Sequence, residues 1–210
     1  YVNELIKEAL FDDKDSIKIL TSATLNTSSK GETLYEYYTR NVGLNIDEEL
    51  FLSDPKKSPF DYEHNMICYC CKDITAPNGD HDNYIKDITR KIKELLNITK
   101  GKTLILFTSK ADMKLVYDNL RTENLPYNLL IQKDGASQNL TKEEFKNDIN
   151  SILLSTGSFW EGIDIKGRSL SNVIIVRLPF PIPDPIIEYK CSLVDNNEKV
   201  LIPEMKIKLK

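Results

Sequence analysis

The chain has 210 residues, 40% of them apolar and 29% charged, which gives ample material for a packed core and excludes a low-complexity or disordered chain. A formal net charge of -4 and an isoelectric point near 5.4 exclude a free-standing module that grips nucleic acid by bulk positive charge. No apolar run approaches the ~20 residues of a membrane span and no charged-then-apolar leader stands at the start, so a cytoplasmic protein without a membrane partner is expected.

Residues 1–16 open in mid-helix, with Leu5, Ile6, Ala9 and Leu10 along one face, as in a piece of a longer chain. Ile17, Ile19 and Leu20 predict a short strand that runs into Thr21-Ser22-Ala23-Thr24-Leu25. Hydroxyls at a strand's carboxyl end can bond a nucleotide phosphate or neighbouring carboxylates, or simply cap the next segment. From Lys30 to Pro59 the pattern loosens into a helical turn, TLYEYYTR, and a polar, proline-bearing connector, SDPKKSPF. Asp61-Tyr62-Glu63-His64 resembles an acidic metal box only superficially, because it lacks the adjacent Asp-Glu pair and a buried strand before it; it reads as loop. Met66 to Cys71 predicts a strand with Cys68 and Cys70 on one face, hence buried reduced thiols rather than disulfides or a metal site.

Asp80 to Asn97 predicts an amphipathic helix with Ile85, Ile88, Ile92, Leu95 and Leu96 inward and Lys86, Arg90, Lys91 and Lys93 as a solvated outer face. Gly101-Lys102-Thr103 looks like the end of a P-loop, but Leu96 stands where the motif needs glycine and a strand follows, so no Walker A site is expected. Leu104 to Phe107 predicts a buried strand, with Thr108 and Ser109 at its end before a helix from about Lys110. Ser109 and Asp112 have capping-box spacing, and the exposed first-turn amides with both hydroxyls also suit a phosphate. A strand over Tyr127 to Gln132 leads to the turn Lys133-Asp134-Gly135, and Thr141 with Glu144 is expected to cap the next short helix.

Ile152, Leu153 and Leu154 predict a buried strand feeding a loop that holds Gly157, Gly162 and Gly167 with Glu161 and Asp164 among them. Glycines let backbone amides approach a phosphate or sugar, and the carboxylates can accept from ribose hydroxyls or arginines. An ordinary strand-loop-strand connection would have the same local look. Val173 to Leu178 predicts a second buried strand, and prolines 179, 181, 183 and 185 end its pairing. Strands alternating with helices at roughly 25–30-residue intervals imply βαβ units and a parallel sheet.

Three stretches taken together carry a resemblance. LTSATL at 20–25 resembles helicase motif III, TLILFTSKADM at 103–113 resembles motif IV, and LLSTGSFWEGIDIKG at 153–167 resembles motif V. The set resembles a superfamily-2 DNA helicase of the DinG and XPD group, and SFWEGID followed by LPFPIPDP is most similar to the bacterial DinG branch. The resemblance implies an α/β, RecA-like parallel sheet flanked by helices, the second motor domain of a helicase. It places residues 1–30 in the tail of the first motor domain, 31–65 in a linker, and 66–210 in the second motor domain, stopping short of motif VI. Carried over by motif, Thr108, Ser109 and Thr156 contact DNA phosphates, Glu161, Gly162 and Asp164 face the nucleotide cleft, and Ser22 and Thr24 couple the two. The implied ligands are ATP with Mg²⁺, held mainly by the first motor domain of the same chain, and single-stranded or forked DNA.

The departures from the family pattern are Walker A, Walker B and the arginines of motif VI, none of which occurs in these residues. On that basis the 210 residues alone are expected to lack ATPase activity. Cys68, Cys70, Cys71 and Cys191 do not match the family's four-cysteine iron-sulfur pattern, so such a cluster is expected, if anywhere, outside this stretch. Two other readings stand beside the motor: a RecA-like DNA-binding or interaction module without motor activity, and part of a DinG-like nuclease. A dinucleotide-binding enzyme is disfavoured because no G-x-G-x-x-G follows a predicted strand.

Overall fold

The structure, a computed structural model, describes residues 2–13, 15–22, 24–27, 33–44, 53–133, 138–160, 165 and 167–209. The chain divides into two units, Tyr1–Ile67 with Pro179–Lys210, and Cys68–Leu178.

In the first unit, α1 (Val2–Ile6) continues into a π turn, Lys7–Phe11. The strand expected at Ile17 to Leu20 is absent: Ile17 and Ile19 are 93% and 85% exposed and take part in no ladder. A strand satisfies its amides only through a neighbour, and no described segment lies alongside this one as a partner strand. The next helix, α2 (Glu36–Val42), ends at Gly43, whose φ of +76° suits glycine and where a Cβ would stand 2.3 Å from the Asn3 carbonyl of α1. Residues 53–60 are exposed and irregular, as a connector should be. The Asp61-Tyr62-Glu63-His64 stretch is a short helix, α3 (Tyr62–Asn65), rather than loop, because Asp61 caps it by accepting from the His64 N–H at 3.2 Å.

The second unit begins without the strand expected at Met66 to Cys71. Ile67 is 94% exposed, and Cys68 and Cys70 are exposed free thiols, with Cys71 half-buried. The segment instead reaches α4 (His81–Thr99) through polar bonds. Thr75 donates from N and Oγ1 to Asp87 Oδ2 at 3.0 and 2.6 Å, and Lys91 Nζ lies 2.8 Å from both Asp73 and Glu94. Lys91 is therefore buried, unlike the solvated face expected of it, while two carboxylates hold its charge.

Lys100, Gly101 and Lys102 all have positive φ, so the GKT stretch is a left-handed turn into β1 (Thr103–Phe107) and not a phosphate loop. The remaining elements are α5 (Lys110–Arg121), β2 (Leu129–Ile131), α6 (Gln138–Asn147), β3 (Ile152–Thr156), a 3-10 turn Gly157–Trp160, and β4 (Asn172–Ile175). Thr141 falls inside α6 rather than at its cap. The four strands form a parallel sheet in the order β2-β3-β1-β4.

On one face Ile105, Phe107, Ile152 and Leu154 pack with Ile85, Ile88, Ile92 and Leu96 of α4 and Met113, Val116 and Leu120 of α5. On the other, Leu104, Leu106, Leu130 and Leu153 pack with Phe145 of α6 and Phe159 of the 3-10 turn. Strand β4 is an edge among the described strands, so its residues alternate between half-buried and exposed, against the buried strand expected over Val173 to Leu178.

The first unit closes with α7 (Pro185–Ser192) and α8 (Glu198–Leu209). Asp184 caps α7, accepting from Ile186 and Ile187 N–H at 2.8 Å each, with Pro185 in the first turn where its missing N–H costs nothing. Pro203 inside α8 leaves the Lys199 carbonyl without its helical donor, and Arg40 Nη2 of α2 supplies one at 2.9 Å.

Candidate nucleic-acid interface

In the second unit the chain order of the sheet determines where a ligand fits. From β1 the chain leaves toward β2 by way of α5 on one face; from β3 it leaves toward β4 by way of the 3-10 turn on the other. Adjacent β1 and β3 thus have carboxyl-end connections that diverge to opposite faces, which opens a crevice at that point of an α/β sheet. Phe107 and Thr156, the last residues of the two strands, are register partners, so Thr108, Ser109 and Thr156 all stand at the crevice.

Ser109 is the N-cap of α5, its Oγ accepting from Asp112 N–H at 3.2 Å, so the sequence-predicted cap is present while the hydroxyl proton can still be donated outward. Thr108 is exposed. Thr156 is 5% exposed, and its N–H donates to Gln132 Oε1 at 2.8 Å. Its hydroxyl has no hydrogen bond among the described residues. Thr156, Gln132, Lys110, Ala111, Met113 and Lys114 line a cavity of about 290 Å³ over the first turn of α5. The helix N-terminus, two lysines one turn apart and a buried hydroxyl give this cavity an anion-accepting character.

Two supports of this edge were not legible as such in the sequence. Trp160 donates its indole N–H to the Phe107 carbonyl at 3.1 Å, tying the turn after β3 to the end of β1. Behind it, Lys142 Nζ lies 5.5 Å from the centre of the Phe159 ring. Gln132, expected as the last residue of a strand, instead follows β2 directly.

Ser22 and Thr24 lie in the first unit, with Oγ and Oγ1 3.2 Å apart and the Thr24 N–H 3.3 Å from Ser22 Oγ. They line a cavity of about 440 Å³ together with Thr27, Tyr37, Lys190 and Glu204. Tyr37 donates to Glu204, which also pairs with Lys190 at 2.6 Å; burial and then that carboxylate push the Tyr37 phenol well above its usual range. Glu161, Gly162 and Asp164 lie outside the described residues, as do Ala23 and the Asp134-Gly135 turn. Among the described residues no three His, Cys, Asp or Glu side chains are grouped as ligands for a metal ion.

The sequence pattern of the helicase C-terminal domain matches residues 92–209, more than half of the chain. The chain belongs to the helicase C-terminal domain family. Among proteins similar to this helicase domain is a Bacillus subtilis protein named 3'-5' exonuclease DinG, 33% identical over 203 residues that make up 93% of this chain and 21% of that protein. The Escherichia coli ATP-dependent DNA helicase YoaA is 30% identical over 208 residues, 96% of this chain and 31% of that protein. The Photobacterium profundum ATP-dependent DNA helicase DinG is 34% identical over 179 residues, 81% of this chain and 24% of that protein. The helicase domain described here thus spans between a fifth and a third of the length of these relatives. Its parallel sheet with helices on both faces is the α/β architecture the motif resemblance implied, and no described helix is long and apolar enough to cross a membrane.

Proposed function

We propose that this chain is the C-terminal motor region of a DinG-like, ATP-dependent DNA helicase that couples ATP hydrolysis to movement along single-stranded DNA and to unwinding of duplex. The single observation that carries the reading is the cavity between α5 and the carboxyl ends of β2 and β3, where the buried Thr156 hydroxyl, unpartnered among the described residues, and the first turn of α5 meet Lys110 and Lys114. Hydroxyls and amides of this kind hold phosphates without reading bases, as a motor that must pass every sequence requires. Thr108 and Ser109 extend the same phosphate track. Residues 66–210 form the second motor domain, residues 1–30 the tail of the first, and 31–65 the connection.

ATP and Mg²⁺ are assigned mainly to the first motor domain of the full-length protein, and Glu161, Gly162 and Asp164 are its neighbours from this side. Asp164 accepts from a ribose hydroxyl or holds an arginine, and Ser22 and Thr24 link the two sites. In the full-length protein Asp164→Asn keeps the shape and loses the charge, so it lowers DNA-stimulated ATP turnover about ten-fold or more, the worth of one charged hydrogen bond. A well-folded Asp164→Asn protein with wild-type turnover and unwinding would refute the assignment.

A second reading is favoured by the name of the Bacillus subtilis relative: the chain as part of a DinG-like nuclease. A full-length protein that degrades DNA from 3' ends, with no DNA-stimulated ATP turnover, would select it.

A further inference from the structure

We propose that Gln132 is a second DNA-phosphate ligand in this cavity, its side-chain oxygen fixing the end of β3 while its side-chain nitrogen donates to the phosphodiester that Thr156 binds, with Lys114 closing the site. The inference rests on reading the cavity as the DNA-facing site and adds two residues that no helicase motif quoted above supplies as phosphate ligands.

The amide's orientation is fixed by chemistry. The Thr156 N–H is a donor, so the atom 2.8 Å from it must be the carboxamide oxygen, and the NH₂ group lies on the other side. That NH₂ makes no hydrogen bond to any described residue, although Gln132 lines the cavity. Thr156 is more than nine-tenths buried, lines the same cavity, and likewise keeps its hydroxyl unpartnered among the described residues. Two neutral donors therefore converge on one space from neighbouring strand ends, since β2 and β3 pair in register up to Ile131 and Leu154. Lys114, exposed and in no ion pair among the described residues, lines the same space, as does Ala111 in the first turn of α5. Donors from three elements around one small space match a tetrahedral oxyanion. At about 290 Å³ the cavity sits at the small end of ligand clefts, which fits one phosphate-sugar unit better than a whole nucleoside triphosphate.

A purely structural role for Gln132 makes a different forecast. If the side chain only tethers Thr156, then Gln132→Glu keeps that bond, because a carboxylate accepts from the Thr156 N–H at least as well, and its charge lowers DNA affinity only through repulsion that the higher salt concentration screens. If it binds phosphate, the same change removes the donor and sets a negative charge against the ligand.

The test uses the full-length protein with a fluorescein-labelled oligo(dT) in an anisotropy titration at two salt concentrations. Gln132→Glu is expected to weaken DNA binding about ten-fold or more. Lys114→Ala is expected to weaken it and to reduce the salt slope by about 0.7, the value of one phosphate contact on a single strand. Gln132→Met, which loses acceptor and donor together, is expected to weaken DNA binding as well, and guards against a folding defect peculiar to the glutamate. A fluorescent ATP analogue distinguishes the other source of phosphate, and its affinity is expected to stay within about two-fold in all three variants. Wild-type DNA affinity in Gln132→Glu, with Thr156→Val impaired, overturns the role given to Gln132 and leaves the DNA-facing site standing. Wild-type affinity in all of these variants overturns the DNA-facing site itself. Loss of nucleotide affinity with DNA affinity intact overturns the assignment to DNA phosphate.

Discussion

Thr156→Val separates function from folding at one atom. The substitution keeps the β-branched shape at the end of β3 and removes a hydroxyl that is bonded to nothing described in the chain, while the backbone N–H to Gln132 remains. A fully buried hydroxyl without a partner costs about 1–3 kcal/mol, but this one lines a cavity and can meet water, so the variant should be between unchanged and about 1 kcal/mol more stable. Bonded to a DNA phosphate, the same hydroxyl is worth about 1.5–3 kcal/mol, and its loss should weaken single-stranded DNA binding roughly 10- to 150-fold. Stability and affinity should therefore move in opposite directions. Ser155 supplies the control: it is fully buried, its Oγ has no partner among the described residues, and strand alternation points it to the other face, that of Phe145 and Phe159. Ser155→Ala should leave DNA binding alone. The measurements are anisotropy with labelled oligo(dT) for affinity and hydrogen exchange of the β3 amides for local stability, both in the full-length protein. A Thr156→Val protein that binds DNA normally, or one that loses more than about 1 kcal/mol of stability, would refute the reasoning.

Gly101→Ala should destabilise the second unit by more than about 2 kcal/mol. Its φ is +75° and the new Cβ would stand 1.9 Å from the Asn150 carbonyl just before β3, a backbone atom that cannot step aside cheaply; an unshifted denaturation midpoint would contradict this. The clamp between residues 73–75 and α4 should respond to acid and not to base. Bonds from Thr75 hold the Asp87 carboxyl below its usual value of 3.8, and the bond from Lys91 does the same for Asp73. Carboxyls lowered by folding contribute fully above their unfolded values and lose that contribution as pH falls through the folded ones. Protection of the Thr75 amide should hold from neutral pH to about pH 4 and fall below it, and loss already at pH 6 would show that other groups dominate.

What the sequence displayed depended on whether a residue's state is settled locally. The apolar spacing of α4 and α5 and the runs Leu104–Phe107 and Ile152–Leu154 record burial on two faces directly, and each appears close to its expected place. A strand is a statement about a neighbour as well. Ile17, Ile19 and Ile67 have the β-branched character of strands, yet stand 85% or more exposed with no ladder beside them. The apolar run from Val173 could not announce that β4 lies at an edge, because sheet order is invisible to local pattern. Lys91 misled for the opposite reason, since its charge suggests solvent while Asp73, eighteen positions earlier, supplies the partner that permits burial.

The candidate site divides along the same line. Thr108 and Ser109 were legible as small hydroxyls directly after a buried strand, Thr156 only through the motif V resemblance, and the strands that carry them are where the residues said they would be. Gln132 was not, because its meaning lies in the pairing of β2 with β3, which brings its carboxamide to the Thr156 amide across twenty-four positions of sequence. Nor was the crevice, which exists because α5 carries the chain from β1 over one face while the turn after β3 departs over the other. Had both connections left on the same face, the two strand ends would be roofed over and Thr156 would have no cavity before it. The phosphate-binding character proposed for this site therefore belongs to the order of the strands as much as to the residues at their ends.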